Sequence, residues 1–594
     1  MQRRHYIYGL LAVLLVALVA RVLMMMSNAV SFHSDEAVVA LMARHITLGE
    51  RPVFFYGQAY MGSLDAWVIA FGFQVFGESV QTIRLMQSAL FLLVVGTGYH
   101  AAWVLSRRIS IAVSTGLLYA VGPVLLALYT TATLGGYNET LIFGHLIVAL
   151  GFSVAGGQFT VHSSQFTVHS EKPSAASDHL PASGFQQVTS SHELSTVDYR
   201  LSTSASPSSS HHPITSSPSS SPATLFALGV ITGLAWWTNA LIVVYALPVG
   251  LFLLWRLMQA REGRAWRMLG LVLVGFVIGS APWWVNALQT DLAPLRFLLP
   301  TGLRGDNVGA ELTELPFLDR VIGLVVFGLP TVVGLRFPWE AGFFLPVIGL
   351  VVLVMVLVGL YRLFRARPSP LQPAAASILL GMVVLLGLVF LLTRFSSDPS
   401  GRYFLPLTLP FFMAISTLAF PLTDAGTRRQ QIIGVGLLAG VLVYFAAGQI
   451  VAARGPYGLT TQFNTETHLP HDDDAALIDW LLANDYHYGY TNYWISFRIV
   501  FLSAEQIRLS AALPDKSNLL YTPAFERLPA YREASDASDR IVYITALLPT
   551  VETAIETWLE AGGIRYQIEQ IGIYRVYYDF TPRQPRPPIP FAIE

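Results

Sequence analysis

Residues 6–26 read YIYGLLAVLLVALVARVLMMM, and after a short break comes Ser34-Asp35-Glu36. The apolar run is about the 20 residues that a helix needs to cross a hydrocarbon core. Arg3 and Arg4 precede it, and no small-residue cleavage site follows Met24-Met25-Met26. It therefore reads as a retained span and not as a signal peptide. A carboxylate pair directly after such a span stands at the membrane surface, where a lipid-carried substrate is within reach.

The rest of the chain extends this reading. Its 594 residues are 53% hydrophobic and only 12% charged, against roughly 25% charged in soluble domains. This composition excludes an ordinary soluble enzyme and predicts an α-helical polytopic membrane protein. Apolar runs at 6–26, 85–105, 109–130, 140–156, 224–238, 240–257, 268–287, 341–361, 374–394, 403–421 and 430–450 predict about 11 to 13 transmembrane helices, each satisfying its own backbone in lipid. Residues 64–77 and 320–335 are also apolar and read as interfacial or re-entrant helices.

With the N-terminus cytoplasmic, the loops bearing Arg107-Arg108, Arg256 to Arg267, Arg362-Arg365-Arg367 and Arg428-Arg429 all fall inside, as positive-inside topology requires. The expected location is the plasma membrane, crossed many times. The acidic loops and the C-terminal region then face outward. The expected modules are residues 1–156, a Ser/Thr/Pro/His-rich disordered cytoplasmic insertion at 157–223, a second membrane module at 224–450, and an extracytoplasmic α/β domain at 451–594 with a Pro-rich tail. In that domain, helices at 472–484 and 550–561 and strands at 486–490, 541–544, 564–569 and 572–579 are predicted from periodicity. The absence of cysteine removes disulfides and thiolate ligands, and a net charge of −1 calls for no nucleic-acid partner.

The candidate chemistry lies on the outward side. Asp35 and Glu36 occupy the first turn of a helix expected to lie on the membrane surface, where the helix dipole alone favours acids. Ionised carboxylates there suit acceptance of a proton from a hydroxyl, or binding of a divalent cation. A second acid, Glu139, follows Gly135-Gly136-Tyr137-Asn138 after the third span. Tyr56, Gln58 and Tyr60 stand at headgroup level, where an aromatic belt accounts for the tyrosines but not for Gln58. Arg402-Tyr403 and Arg84 are outward arginines at span starts, suited to bind a phosphate or pyrophosphate in a bidentate manner, or ordinary lipid headgroups. Arg304 and Asp306 lie in another outward loop.

Ser34-Asp35-Glu36-Ala37, Tyr56-Gly57-Gln58-Ala59-Tyr60-Met61-Gly62 and Gly401-Arg402-Tyr403, in this topology, resemble the GT-C glycosyltransferases. The resemblance is to the bacterial branch similar to protein O-mannosyltransferases and lipid A aminoarabinose transferases, over roughly residues 1–450. It implies transfer of a sugar from a polyprenyl-phosphate donor to a lipid, glycan or protein acceptor on the outer face. By that resemblance Asp35 is the catalytic carboxylate, Glu36 its neighbour and Glu139 the second acid of the site. Arg84 and Arg402 are candidates for the donor phosphate, and Tyr137, Asn138 and Tyr403 join Tyr56, Gln58 and Tyr60 as substrate-binding residues. The aminoarabinose transferases carry an arginine soon after the acidic pair. Here Val38 stands in its place, which leaves Arg44 or another arginine for the phosphate. Relatives differ in their need for a metal, so Mg or Mn stays open, with Asp35 and Glu139 as its ligands if one binds.

Glycosyl transfer needs a carboxylate near the attacking hydroxyl and a cation near the departing phosphate, and a lipid donor needs no nucleotide fold. A transporter or flippase of lipid-linked glycans is the alternative. It is disfavoured by the scarcity of charge deep in the spans and by the lack of an internal repeat in the hydropathy pattern.

Overall fold

The computed structural model describes residues 2–156, 221–260, 263–298, 315–365, 373–420, 427–582 and 591. The expected insertion, the loop with Arg304 and Asp306, and the Pro-rich tail lie outside these residues, apart from the ends of each.

Helix α1 (Gln2–Met26) is followed by α2 (Ser34–Thr47), a short hairpin of β1 (Phe54–Phe55) and β2 (Gln58–Gly62), and α3 (Leu64–Phe76). Then come α4 (Val80–Ser106), α5 (Ile109–Ala120), α6 (Val124–Tyr129), α7 (Tyr137–Gly156), α8 (Pro222–Thr238) and α9 (Val243–Ala260). The series continues with α10 (Gly263–Gly279), α11 (Ala281–Gln289), α12 (Ala293–Leu298), α13 (Phe317–Ile322), α14 (Leu329–Val332), α15 (Pro346–Arg365), α16 (Pro373–Leu392), α17 (Thr408–Ala419) and α18 (Arg428–Arg454).

Each of the eleven expected spans holds an apolar helix, but they differ in length. Among the described residues seven helices are long and apolar enough to cross a membrane, or eight if the pair at 266–279 and 281–289, bent by 61°, is one broken span. The expected span at 109–130 is interrupted between α5 and α6 at Gly122-Pro123, because proline cannot continue the backbone ladder. The doubtful segment 64–77 is the 13-residue α3. Residues 320–335 run through α13, a π-helical turn at Gly323–Gly328 and α14.

The membrane character shows in which side chains face out. Leu11, Leu15, Val19 and Leu23 of α1 and Val347, Val351, Val354 and Leu357 of α15 are exposed, whereas Val13, Ala17, Val352 and Val356 are buried. Apolar groups on both faces are what lipid solvation permits. Helices α8 and α10 meet through glycines: a Cβ on Gly229, Gly233, Gly275 or Gly279 would come within 2.2–2.4 Å of a carbonyl oxygen of the facing helix. Such small-residue seams let membrane helices approach backbone to backbone.

After α18 the chain returns to the first loop, where Val30 and Leu459 form a parallel bridge. It then builds α19 (Asp474–Ala483), β3 (Tyr488–Tyr490), α20 (Tyr493–Leu502), β4 (Arg508–Ser510), α21 (Pro529–Ala537), β5 (Ile541–Ala546), α22 (Pro549–Ala561), β6 (Arg565–Ile571) and β7 (Tyr574–Thr581). The sheet order is β4-β3-β5-β7-β6, with β3 parallel to both neighbours and β7 antiparallel to both of its own. Every residue of β5 is buried, as for a central strand covered on both faces. In α22, Val551, Ile555 and Leu559 turn one stripe inward.

Candidate active site

The opening dipeptide separates into two environments. Helix α2 is not laid on a surface. Ser34, Glu36 to Arg44 and Ile46 are buried, packed in one core with Ile69 and Phe73 of α3 and Tyr493, Phe497 and Val500 of α20. This corrects the expected amphipathic surface helix: the stripe of Val38, Leu41 and Met42 is covered by the C-terminal domain instead of lipid.

Glu36 is fully enclosed and forms a bidentate pair with Arg84, with Nη2 donating to Oε1 at 2.8 Å and Nη1 to Oε2. The same Oε2 accepts from the Thr133 amide at 3.0 Å. Arg84 completes its donor set on the carbonyls of Val30 and Thr131, at 3.2 and 3.3 Å. The charges of Glu36 and Arg84 thus satisfy one another in this structure.

Beneath this pair lies a network that sequence reasoning missed. Asp65, at the start of α3, accepts from Gln87 Nε2 and Thr133 Oγ1, both at 2.7 Å, and from the amides of Gly135 and Gly136 at 3.2 and 3.3 Å. Those two glycines have φ of +86° and +91°, a region that side chains rarely enter, and it turns their N–H groups to the carboxylate. Asn138 donates to Gln87 at 2.6 Å and to the Thr130 carbonyl at 3.1 Å, so it braces the loop instead of facing a substrate. Glu139 is buried beside Asp65, and neither of its oxygens has a hydrogen-bond partner. Asp65 and Gln87 carried a signal in being strongly polar groups within apolar helices, where polarity has to be satisfied.

Asp35 is different. Its side chain keeps 32% exposure, the Tyr493 hydroxyl donates to Oδ1 at 2.6 Å, and His33 Nδ1 stands 3.9 Å from Oδ2. His33 is buried and meets the Thr461 hydroxyl through Nε2 at 3.1 Å.

Of the hairpin residues, Tyr56 bonds within the first loop and Gln58 reaches the C-terminal domain. The Tyr56 hydroxyl bonds Glu50 and His45 at 2.8 and 2.9 Å. The Gln58 amide oxygen, in the orientation its surroundings require, accepts from Arg527 at 2.9 and 3.1 Å. The Tyr60 side chain lies outside the described residues. Arg44, the proposed substitute arginine, pairs with Glu78 and with Glu505 (3.2 Å) and donates to the Phe501 carbonyl at 2.9 Å.

A cavity of about 220 Å³ opens on the far side of the Gly135-Gly136 loop. Leu134, Trp236, Leu241, Leu386, Val389 and Phe390 make its apolar wall, and Tyr137, Asn239, Arg402 and Tyr403 its polar end. Arg402 is 36% exposed, with Nε 2.5 Å from Asp398 and Nη2 donating to the Tyr403 hydroxyl at 3.2 Å. The buried Tyr129 ring lies against Tyr137, and its hydroxyl is within electrostatic reach of Arg402, Asp398 and Asp35. The loop that carries Asp398 is anchored by Arg336, wholly buried, which donates to the carbonyls of Pro399, Phe327, Phe337 and Glu340.

Among the described residues no three His, Asp or Glu side chains come together.

This architecture resembles that of ArnT from Cupriavidus metallidurans bound to undecaprenyl phosphate, with a TM-score of 0.54 at 13% identity over 96% of this chain and 97% of that one. The chain has a GT-C fold. The apo form of the same ArnT gives the same score over 95% of this chain and 97% of that one. An oligosaccharyltransferase from Archaeoglobus fulgidus is similar at 10% identity, covering 91% of this chain and 69% of that one with a TM-score of 0.48. No family model and no curated protein matches the sequence. A coverage of 96% cannot be reached without residues 451–594, so the GT-C likeness is not confined to residues 1–450 as the motifs implied.

Proposed function

We propose that this chain is a membrane glycosyltransferase that moves a sugar from a polyprenyl-phosphate donor to a lipid, glycan or protein acceptor on the extracytoplasmic face. The observation that carries the proposal is the cavity: an apolar chamber of about 220 Å³ with a partly exposed arginine at its polar end, and with Tyr129 in electrostatic reach of both that arginine and the partly exposed Asp35. Its shape and chemistry suit an isoprenoid tail with a phosphate at its head, and a solved protein of this fold holds undecaprenyl phosphate.

In the proposed reaction the donor lipid lies along Leu386, Val389 and Phe390, and its phosphate meets Arg402. Asp35 Oδ2 takes the proton of the acceptor hydroxyl while that oxygen attacks the anomeric carbon. The bond from that carbon to the phosphate oxygen breaks, and polyprenyl phosphate leaves with the electron pair. Arg402 stabilises the charge that develops on the departing phosphate, as a guanidinium suits a bidentate oxyanion. Glu36 and Arg84 hold α2 in place, and Glu139 with Asp65 shapes the floor behind the cavity. The arginine loops support an orientation with the N-terminus in the cytoplasm and the C-terminal domain outside.

The test is transfer by purified protein with a panel of undecaprenyl-phosphate sugars. Asp35→Asn is expected to cut transfer to a small residual rate and Arg402→Ala to weaken donor binding. Full transfer by the Asn variant removes the catalytic assignment.

A further inference from the structure

We infer that the C-terminal domain is part of the catalytic centre, with Tyr493 as the positioning residue of Asp35. This rests on the proposed role of Asp35 and adds to it a component from a region that the motifs left without a task.

The hydroxyl of Tyr493 reaches across from α20 to Oδ1 of Asp35 at 2.6 Å, a short charge-assisted bond between residues 458 positions apart. That contact fixes one carboxylate oxygen and leaves Oδ2 to act. The nearest group to Oδ2, His33 Nδ1 at 3.9 Å, is beyond hydrogen-bond distance and does not take its place. Asp35 alone is poorly constrained, since its side chain is about one-third exposed.

Tyr493 is itself held on every side. Its ring is 1% exposed and stacks on Phe525 at 4.6 Å, and the Arg527 guanidinium stands 5.8 Å from its centroid. Arg527 in turn grips Gln58 and the Gly57 carbonyl. The start of α20 is fixed by the Asn492 side chain, which accepts from the Ile495 amide at 3.2 Å. A continuous path therefore runs from the hairpin turn through Arg527 and Tyr493 to the carboxylate. A general base works only within a narrow range of approach, and a displacement of about 1 Å costs on the order of 100-fold. The polar end of the cavity is built by Tyr137, Arg402 and Tyr403, on elements other than α20.

The experiment uses the full chain in lipid nanodiscs, with undecaprenyl-phosphate sugars as donors and released undecaprenyl phosphate as the readout. Tyr493→Phe, which keeps the ring and removes the hydroxyl, is expected to lower kcat by about 10–100-fold. KM for the donor and binding of undecaprenyl phosphate should change by less than about twofold. In an Asp35→Asn background the same change is expected to have no further effect on the residual rate, because the group it positions is gone. A wild-type kcat for Tyr493→Phe, or an equal loss in both backgrounds, overturns the inference. Without any turnover, 3-fluorotyrosine at position 493 supplies a second reading: its fluorine resonance should move on Asp35→Asn, and an unmoved resonance overturns the inference as well. The two levels are separable. An active Asp35→Asn protein removes the proposed base itself, whereas an inactive one alongside an active Tyr493→Phe protein removes only the positioning role.

Discussion

Arg84 Nη2 lies 2.8 Å from Glu36 Oε1 in a closed bidentate pair, one residue along from an Asp35 that remains partly open. The neighbours therefore divide labour, and a mutation should tell them apart. Removing one partner of a buried pair leaves the other charge uncompensated, at a cost of about 3–5 kcal/mol. Glu36→Gln and Arg84→Ala are expected to lower the unfolding temperature in detergent and the amount recovered from membranes. Asp35→Asn should leave both unchanged while reducing transfer to a small residual rate. Equal thermal stability of all three variants would contradict this division.

Arg402 is shared between Asp398 and whatever anion enters the cavity. A phosphate must compete with that carboxylate. Charge-assisted bonds contribute about 1.5–3 kcal/mol, so Arg402→Ala should weaken undecaprenyl phosphate binding by roughly 10–100-fold. Asp398→Asn is expected to tighten it, unless the loop held by Arg336 is disturbed, which its thermal stability reports. Calorimetry or a scintillation-proximity assay with undecaprenyl phosphate alone measures both, and no donor sugar is needed.

The fold was legible where one physical signal dominates. Long apolar runs give membrane helices because no other open structure satisfies its backbone in lipid, and the strands at 541–544 and 572–579 follow from β-branched and aromatic alternation. The end of α5 was blurred, since Gly122-Pro123 breaks a run that hydropathy averages over. In the site, the sequence placed Asp35 and Arg402 among the candidates but could not separate Asp35 from Glu36, whose difference is set by Arg84 and Thr133, 48 and 97 positions away. Tyr493, Arg527 and Glu505 were invisible for the same reason: they act only once the C-terminal domain has folded back on the first loop.

That folding back has its own pH signature. Glu505 gathers Arg44, His45 (3.2 Å) and Tyr531 (2.8 Å) at the contact between α2 and the C-terminal domain. Burial alone would raise its carboxyl, but hydrogen bonds from His45, Tyr531 and Arg44 and the charge of His45 outweigh this and hold it at about 2. A carboxyl lowered on folding stabilises fully above its unfolded value near 4.5, and that contribution disappears as pH falls from there to about 2. The stabilisation is at most about 3 kcal/mol at neutral pH. The unfolding temperature of the wild-type protein should therefore fall between pH 5 and pH 3 more steeply than that of Glu505→Gln, which should start lower and stay flatter. Parallel curves would show that the cluster does not contribute.

The cavity makes the sharpest demand on the donor. If its apolar wall takes an isoprenoid tail, each buried methylene contributes about 0.8 kcal/mol, and filling the chamber should penalise long donors far more than short ones. Val389 lines the wall and is only partly buried, so Val389→Trp can be accommodated without repacking the bundle. For an undecaprenyl-phosphate donor the substitution is expected to raise KM by at least about 10-fold. For a donor with a two-isoprene tail, whose binding depends mainly on the phosphate and Arg402, the change should be less than about threefold. Arg402→Ala is expected to weaken both donors alike, because it acts on the headgroup they share. Equal losses for the two chain lengths in Val389→Trp would mean that the tail runs elsewhere, along the lipid-facing surface of the bundle, and that the cavity serves the acceptor.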